Sequence, residues 1–103
     1  EVSGNWTLIG SEIQGNTHGV LFGQSVSLSE NGTVVAVGAK YANDTAGYVA
    51  VFSSGNGGNW TQVGENIIGE FGFCDFGSMV CLSAKGTRIA VSSSSLLQMK
   101  PVA

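Results

Sequence analysis

The chain has 103 residues and a formal net charge of −3, and its four Lys and Arg residues argue against nucleic acid as a partner, because phosphate binding relies on clustered basic side chains. Hydrophobic residues make up 43% and charged residues 11%, the reverse of a disordered composition. No apolar run approaches the roughly 20 residues that cross a bilayer, so no membrane insertion is expected.

Sixteen glycines, a single proline (Pro101) and many Val, Ser and Thr suit short strands joined by tight turns. Helix formers never cluster at helical spacing. In chain order, residues 6–9 read as a strand opened by Asn5-Trp6-Thr7, followed by a long loop over 11–21. Gln24 to Ser29 alternates polar and apolar residues, the period of a half-buried strand. Asn31-Gly32 is a hairpin-turn signal. Residues 33–37 form a β-branched, nearly continuous apolar run, expected of a strand buried on both faces. A polar loop over 40–46 leads to a third strand, 47–52, carrying Tyr48, Val49, Val51 and Phe52. A Gly/Ser/Asn turn over 53–58 precedes a fourth strand, 60–63, which Gly64 ends. A second long loop, 65–75, then leads to Phe76-Gly77.

There the pattern starts again. Sliding the chain along itself until Gly4 meets Gly58 aligns Gly4-Asn5-Trp6-Thr7 with Gly58-Asn59-Trp60-Thr61, and Phe22-Gly23 with Phe76-Gly77. It also aligns Leu28-Ser29 with Leu82-Ser83, Gly32-Thr33 with Gly86-Thr87, and Ala36-Val37 with Ala90-Val91. In all, 16 of the 34 positions from Gly4 to Val37 are identical without a gap, so one structural unit is used twice. Repeat 1 covers about 4–57, repeat 2 about 58–93 in truncated form, and 94–103 is a tail lacking the expected G-x-V-x-V-F strand. Four antiparallel strands followed by a longer crossing loop is the plan of a propeller blade. The expected fold is therefore all-β, with antiparallel four-stranded propeller-type blades: about one complete blade plus parts of two neighbours. Trp6, Trp60, Phe22 and Phe76 are assigned to packing between blades, and Gly23 and Gly77 to positive φ or close packing.

The motifs W-T-x-x-G-x-x-I-x-G, F-G-x-x-V-x-L-S-x-x-G-T-x-x-A-V and G-Y-V-A-V-F resemble the propeller repeats of large secreted and surface proteins. They are also distantly similar to the FG-GAP repeats of integrin-type propellers. The resemblance runs to about Ser93 and implies an architecture rather than an activity. Asp75-Phe76-Gly77 keeps the acidic residue before F-G, whereas Leu21 departs from it in the first unit. The calcium cage of integrin-type blades is missing, and Asn43-Asp44 is too sparse to replace it, so no metal is expected.

The search for chemistry yields little. His18 is the only histidine and has no Cys beside it, and Cys74 and Cys81 fit neither a zinc spacing nor C-x-x-C. Gly23-Gln24-Ser25-Val26 is not a nucleophile elbow, and Gly55-Asn56-Gly57-Gly58 lacks the phosphate-loop Lys. No catalytic residue and no cofactor are assigned. Ligand contact is placed in the loops, at Glu70, Asp75, Asn43 and Asp44. Four N-x-T sequons, at Asn5, Asn31, Asn43 and Asn59, fall at expected turns or strand starts and are candidate glycosylation sites, which suits an extracellular or cell-surface glycoprotein.

The leading expectation is a non-enzymatic interaction or scaffold module that binds protein or glycan through loops between blades. The alternatives are a lectin-like oligomer with Trp6 and Trp60 stacked on sugars, and a scaffold portion of a propeller enzyme such as a glycoside hydrolase. Too few strands are present to close a ring. Further blades are therefore expected, either from the same parent chain, of which this would be a fragment, or from homo-oligomerisation.

Overall fold

The computed structural model describes residues 8, 10–14, 22–39, 47–55, 58–68, 77–92 and 97–102. Among these residues every regular element is a β-strand. The strands form two open antiparallel sheets rather than a closed barrel.

The first sheet, sheet A, is built from β1 (Ser25–Leu28), β2 (Val34–Ala39), β3 (Tyr48–Ser54), β4 (Trp60–Gln62) and β5 (Ile67–Ile68). Its order is β1-β2-β3-β4, as the turn signals predict, with β5 also on β3. The second, sheet B, has the order β6-β7-β8, from β6 (Met79–Leu82), β7 (Arg88–Ser92) and β8 (Leu97–Pro101). The strand predicted over 6–9 falls largely outside the described residues.

The sequence repeat is visible in the backbone. Val26 pairs with Val37 and Leu28 with Val35; at the equivalent positions of the second unit, Val80 pairs with Val91 and Leu82 with Ile89. The Gly23 N–H donates to the Gly38 carbonyl, as the Gly77 N–H does to that of Ser92. Gly23 and Gly77 have φ of 89° and 91°, a left-handed conformation that an L side chain rarely adopts, as the sequence reading expects. The two hairpin turns are braced alike. Ser29 Oγ accepts from the Val34 N–H and Ser83 Oγ from the Arg88 N–H, so side-chain oxygens satisfy backbone donors as the chain enters β2 and β7.

Two segments differ from the expectation. The first is the loop predicted over 65–75, which contains β5. The outer strand beside β3 runs in two pieces: β4 pairs Gln62 with Phe52, and β5 pairs Ile67 with Val49. The segment 63–66 therefore faces only Ala50 and Val51, a bulge in the outer strand, turned at Gly64 with φ 69°. The second is the tail, expected to lack a third strand, which supplies β8. Val34 pairs with Ser53, and its counterpart Arg88 pairs with Pro101. In strict repeat register the partner of Arg88 would lie beyond the last residue, Ala103. The second unit reaches its third strand sooner because the connection before it spans only 93–96, against 40–47 in the first unit. Pro101 is tolerated because β8 ends there, on the sheet's edge.

The core lies between the sheets. Ala36, Val49 and Val51 of sheet A meet Leu82, Ile89 and Val91 of sheet B, flanked by Val34, Val63, Ile67, Val80 and Val102. Ile89, Val49 and Val91 are the largest fully buried side chains, each contributing roughly 1.5–3 kcal/mol. The sheets come closest at their first strands, β1 and β6. Three hydrogen bonds of 2.8 Å fix this approach. Ser25 Oγ donates to the Gly77 carbonyl, Ser27 Oγ accepts from the Leu82 N–H, and the Glu30 N–H donates to the Ala84 carbonyl.

Candidate functional site

The alternation along β1 suggests that Val26 and Leu28 face the core and the serines face water. The structure shows the reverse. Residues paired across an antiparallel ladder share a face, so Ser25, Ser27, Ala36, Gly38 and Val49 lie on the side turned to sheet B. Gly38 leaves no room for a Cβ, which would collide with the Gly77 carbonyl and Ser25 Oγ. The approach is so close that small polar residues are needed there, and the two serine hydroxyls satisfy backbone groups of sheet B. Val26 and Leu28 consequently lie on the open side of sheet A, 62% and 58% exposed, beside half-buried Val35 and Phe52.

Sheet B has an open side too. Its outer face presents Met79, Leu97 and Met99, all exposed, with Cys81 and Ala90 between them. Two shallow apolar grooves cross this face, of about 240 and 210 Å³, lined chiefly by Met79, Cys81, Ala90 and Leu97 in one and by Cys81, Arg88 and Met99 in the other. Cys81 is a free, exposed thiol, and Cys74 lies outside the described residues.

The polar residues singled out in the sequence are placed less completely. Glu70, Asp75, Asn43 and Asp44 lie outside the described residues, as do Asn5, His18, Trp6 and Phe76. Among the described residues, no group of three or more His, Cys, Asp or Glu side chains is arranged to hold a metal ion. Asn31 sits on the β1–β2 turn and Asn59 immediately before β4, both exposed, at a turn and a strand start as the sequence reading places them. The Asn31 side-chain oxygen accepts from the Thr33 N–H at 3.2 Å and from the Thr33 hydroxyl at 2.7 Å, so the sequon closes an Asx turn. Trp60 is half-buried at the sheet edge, where its backbone N–H donates to Ser11 Oγ at 3.5 Å.

One part of the open side of sheet A is covered from within the chain. Phe22 lies against Tyr48 with ring centroids 6.4 Å apart, and Ala39 and Ala50 complete this small cluster. Burial pushes the Tyr48 phenol above its ordinary value of 10. The sign follows from the neutral form being favoured in the fold. Stability from this group is full below about pH 10 and falls as pH rises toward the folded-state value, because the unfolded phenol ionises first. In a Tyr41→Phe background, ultraviolet titration is expected to show Tyr48 ionising above the value of free tyrosine. Ionisation at the ordinary value would mean that Phe22 does not cover the ring.

No protein-family model matches the sequence, and no curated protein matches it either.

Proposed function

We propose that the chain is a non-enzymatic interaction and scaffold module of a secreted or cell-surface β-propeller, and that it binds protein or glycan through the loops between its blades. The observation that carries this reading is the stacking of two like-built sheets front to back, closest at their first strands. Sheets that approach at one edge fan out from a common axis, which is how blades stand around a channel. The four-stranded order of sheet A supports the same reading, as does the recurrence of the β1–β2 hairpin in β6 and β7.

Ser25 pairs with Gly38, Ala39 with Tyr48 and Tyr48 with Ile68, so the chain enters β1, leaves β2 and leaves β5 at the same end of sheet A. On this reading ligand contact falls to Glu70, Asp75, Asn43 and Asp44. The exposed sequons at Asn31 and Asn59 suit an extracellular setting. The test is a glycan and protein array probed with the purified chain. Saturable binding that E70A/D75A weakens at least tenfold is the expected result. The absence of saturable binding to either ligand class would remove the interaction role.

A further inference from the structure

The two open faces are the same two faces that meet inside the chain. Sheet B turns Val80, Leu82, Ile89 and Val91 toward sheet A. Their counterparts in the first unit are Val26, Leu28, Val35 and Val37, apolar at every position, on the far side of sheet A, where Val26 and Leu28 are exposed, Val35 is half-buried and Val37 is buried. Leu82 is 8% exposed and Leu28 58%, although the two occupy the same place in their units. The glycines repeat the contrast. A Cβ on Gly77 or Gly86 would press on Tyr48 or Val34 of sheet A, whereas Gly23 and Gly32 have nothing within 4 Å. Among the described residues the first unit thus keeps the receiving face of this interface, left open at Val26 and Leu28, and the outer face of sheet B is the covering side, left open at Met79, Leu97 and Met99.

We propose that a second copy of this chain covers these faces head to tail, the outer face of sheet B in one copy seated on the open face of sheet A in the next. This rests on the stacked-unit reading above and adds the partner and its polarity. The contact is heterologous, so each copy offers one of each face and a dimer leaves both types open for further copies. Charge fits the same arrangement. Val34 packs on Gly86 inside the chain, and its counterpart is Arg88, which is exposed. Seated the same way, Arg88 comes over the next copy's Gly32, in the turn that carries exposed Glu30.

The junction between copies is looser than the one within. Ser25, Ser27 and Gly38, which permit the close internal approach, are replaced at the equivalent positions of sheet B by Met79, Cys81 and Ser92. A methionine side chain fills an irregular gap well, but it cannot give the hydroxyl–backbone bonds that the serines make.

The experiment is sedimentation velocity on the full chain and three variants. V26D/L28D blocks one face and M79D/L97D the other; all four residues are exposed, so circular dichroism is expected to match the parent. The parent chain is expected to associate with rising concentration, each blocked variant alone to stay monomeric, and their equimolar mixture to form a 1:1 heterodimer. Self-association of either blocked variant through its remaining face would overturn head-to-tail polarity, and a parent chain monomeric at all concentrations would overturn the proposal. M79S/C81S/S92G, which installs the residues of the first unit, is expected to tighten association at least tenfold; unchanged or weaker association overturns it as well. A monomeric parent whose two sheets still melt as one unit would leave the stacked-unit reading standing, so the two failures are distinguishable.

Discussion

Gly77→Ala is expected to destabilise the chain distinctly more than Gly23→Ala, although the two glycines have nearly the same backbone conformation. Their φ values are 91° and 89°, so a Cβ meets the same local strain at both sites, about 1–2 kcal/mol for a left-handed L-residue. What differs is the surroundings. At Gly23 an added Cβ enters open space, whereas at Gly77 it lies 2.8 Å from the Tyr48 carbonyl and 3.3 Å from a Val49 methyl. The carbonyl belongs to backbone held in the β2–β3 ladder and cannot rotate away as a long side chain would. Overpacking of this kind costs about 1–3 kcal/mol beyond the strain. It also threatens the bond from Ser25 Oγ to the Gly77 carbonyl. Urea unfolding of both variants measures the difference directly. Equal losses would mean that sheet B does not rest on sheet A at this point, and the inter-sheet geometry would have to be redrawn.

The same contrast shows what a sequence reveals and what it withholds. The internal repeat places strands, turns and positive-φ glycines well, because each depends on residues close together in the chain. The predicted strands over 24–29, 33–37, 47–52 and 60–63 all appear, displaced only slightly at their ends. The direction in which a face points depends instead on what packs against it. Ser25 and Ser27 read as solvent-facing because an alternating strand ordinarily turns its apolar side inward. In the structure the close approach of β1 to β6 needs small side chains with hydroxyls to spare, so the serines face inward and the apolar side is left open.

The two unexpected strands have different explanations. Leu97-Gln98-Met99-Lys100-Pro101 does alternate apolar and polar residues, so β8 was within reach of periodicity; it departs from the repeat motif and ends on a proline, which reads as a breaker. β5 is a single Ile67-Ile68 pair with no period to detect; its one clue is that Ile67 repeats Ile13. The loop carboxylates are a harder case. Loop residues owe their mutual distances to the whole fold rather than to spacing along the chain, so Glu70 and Asp75 were legible as candidates but not as a pair that converges.

Leu82→Ala and Leu28→Ala form the second matched pair, and here the side chain itself is the same. Both leucines end the first strand of their hairpin and face its second, pairing with Ile89 and Val35 respectively. Leu82 is packed in the core between the sheets, whereas Leu28 lies on the open face. Truncation at Leu82 removes buried methyl groups and leaves a cavity, a loss of about 2–5 kcal/mol. At that size the change approaches the whole stability expected of a small domain, so Leu82→Ala is best compared in a stabilising osmolyte. Truncation at Leu28 removes little buried surface in an isolated chain, and a loss under about 0.5 kcal/mol is expected at low concentration, as for most surface substitutions. The concentration dependence is the informative part. If a second copy covers the open face, the cost of Leu28→Ala grows as the protein is concentrated, since bound copies stabilise the folded state by mass action. The cost of Leu82→Ala then stays nearly constant, because its cover belongs to the same chain. A Leu28→Ala loss as large as that at Leu82 in dilute solution would show instead that the open face is already buried within the monomer. An absence of any concentration dependence would show that it remains bare.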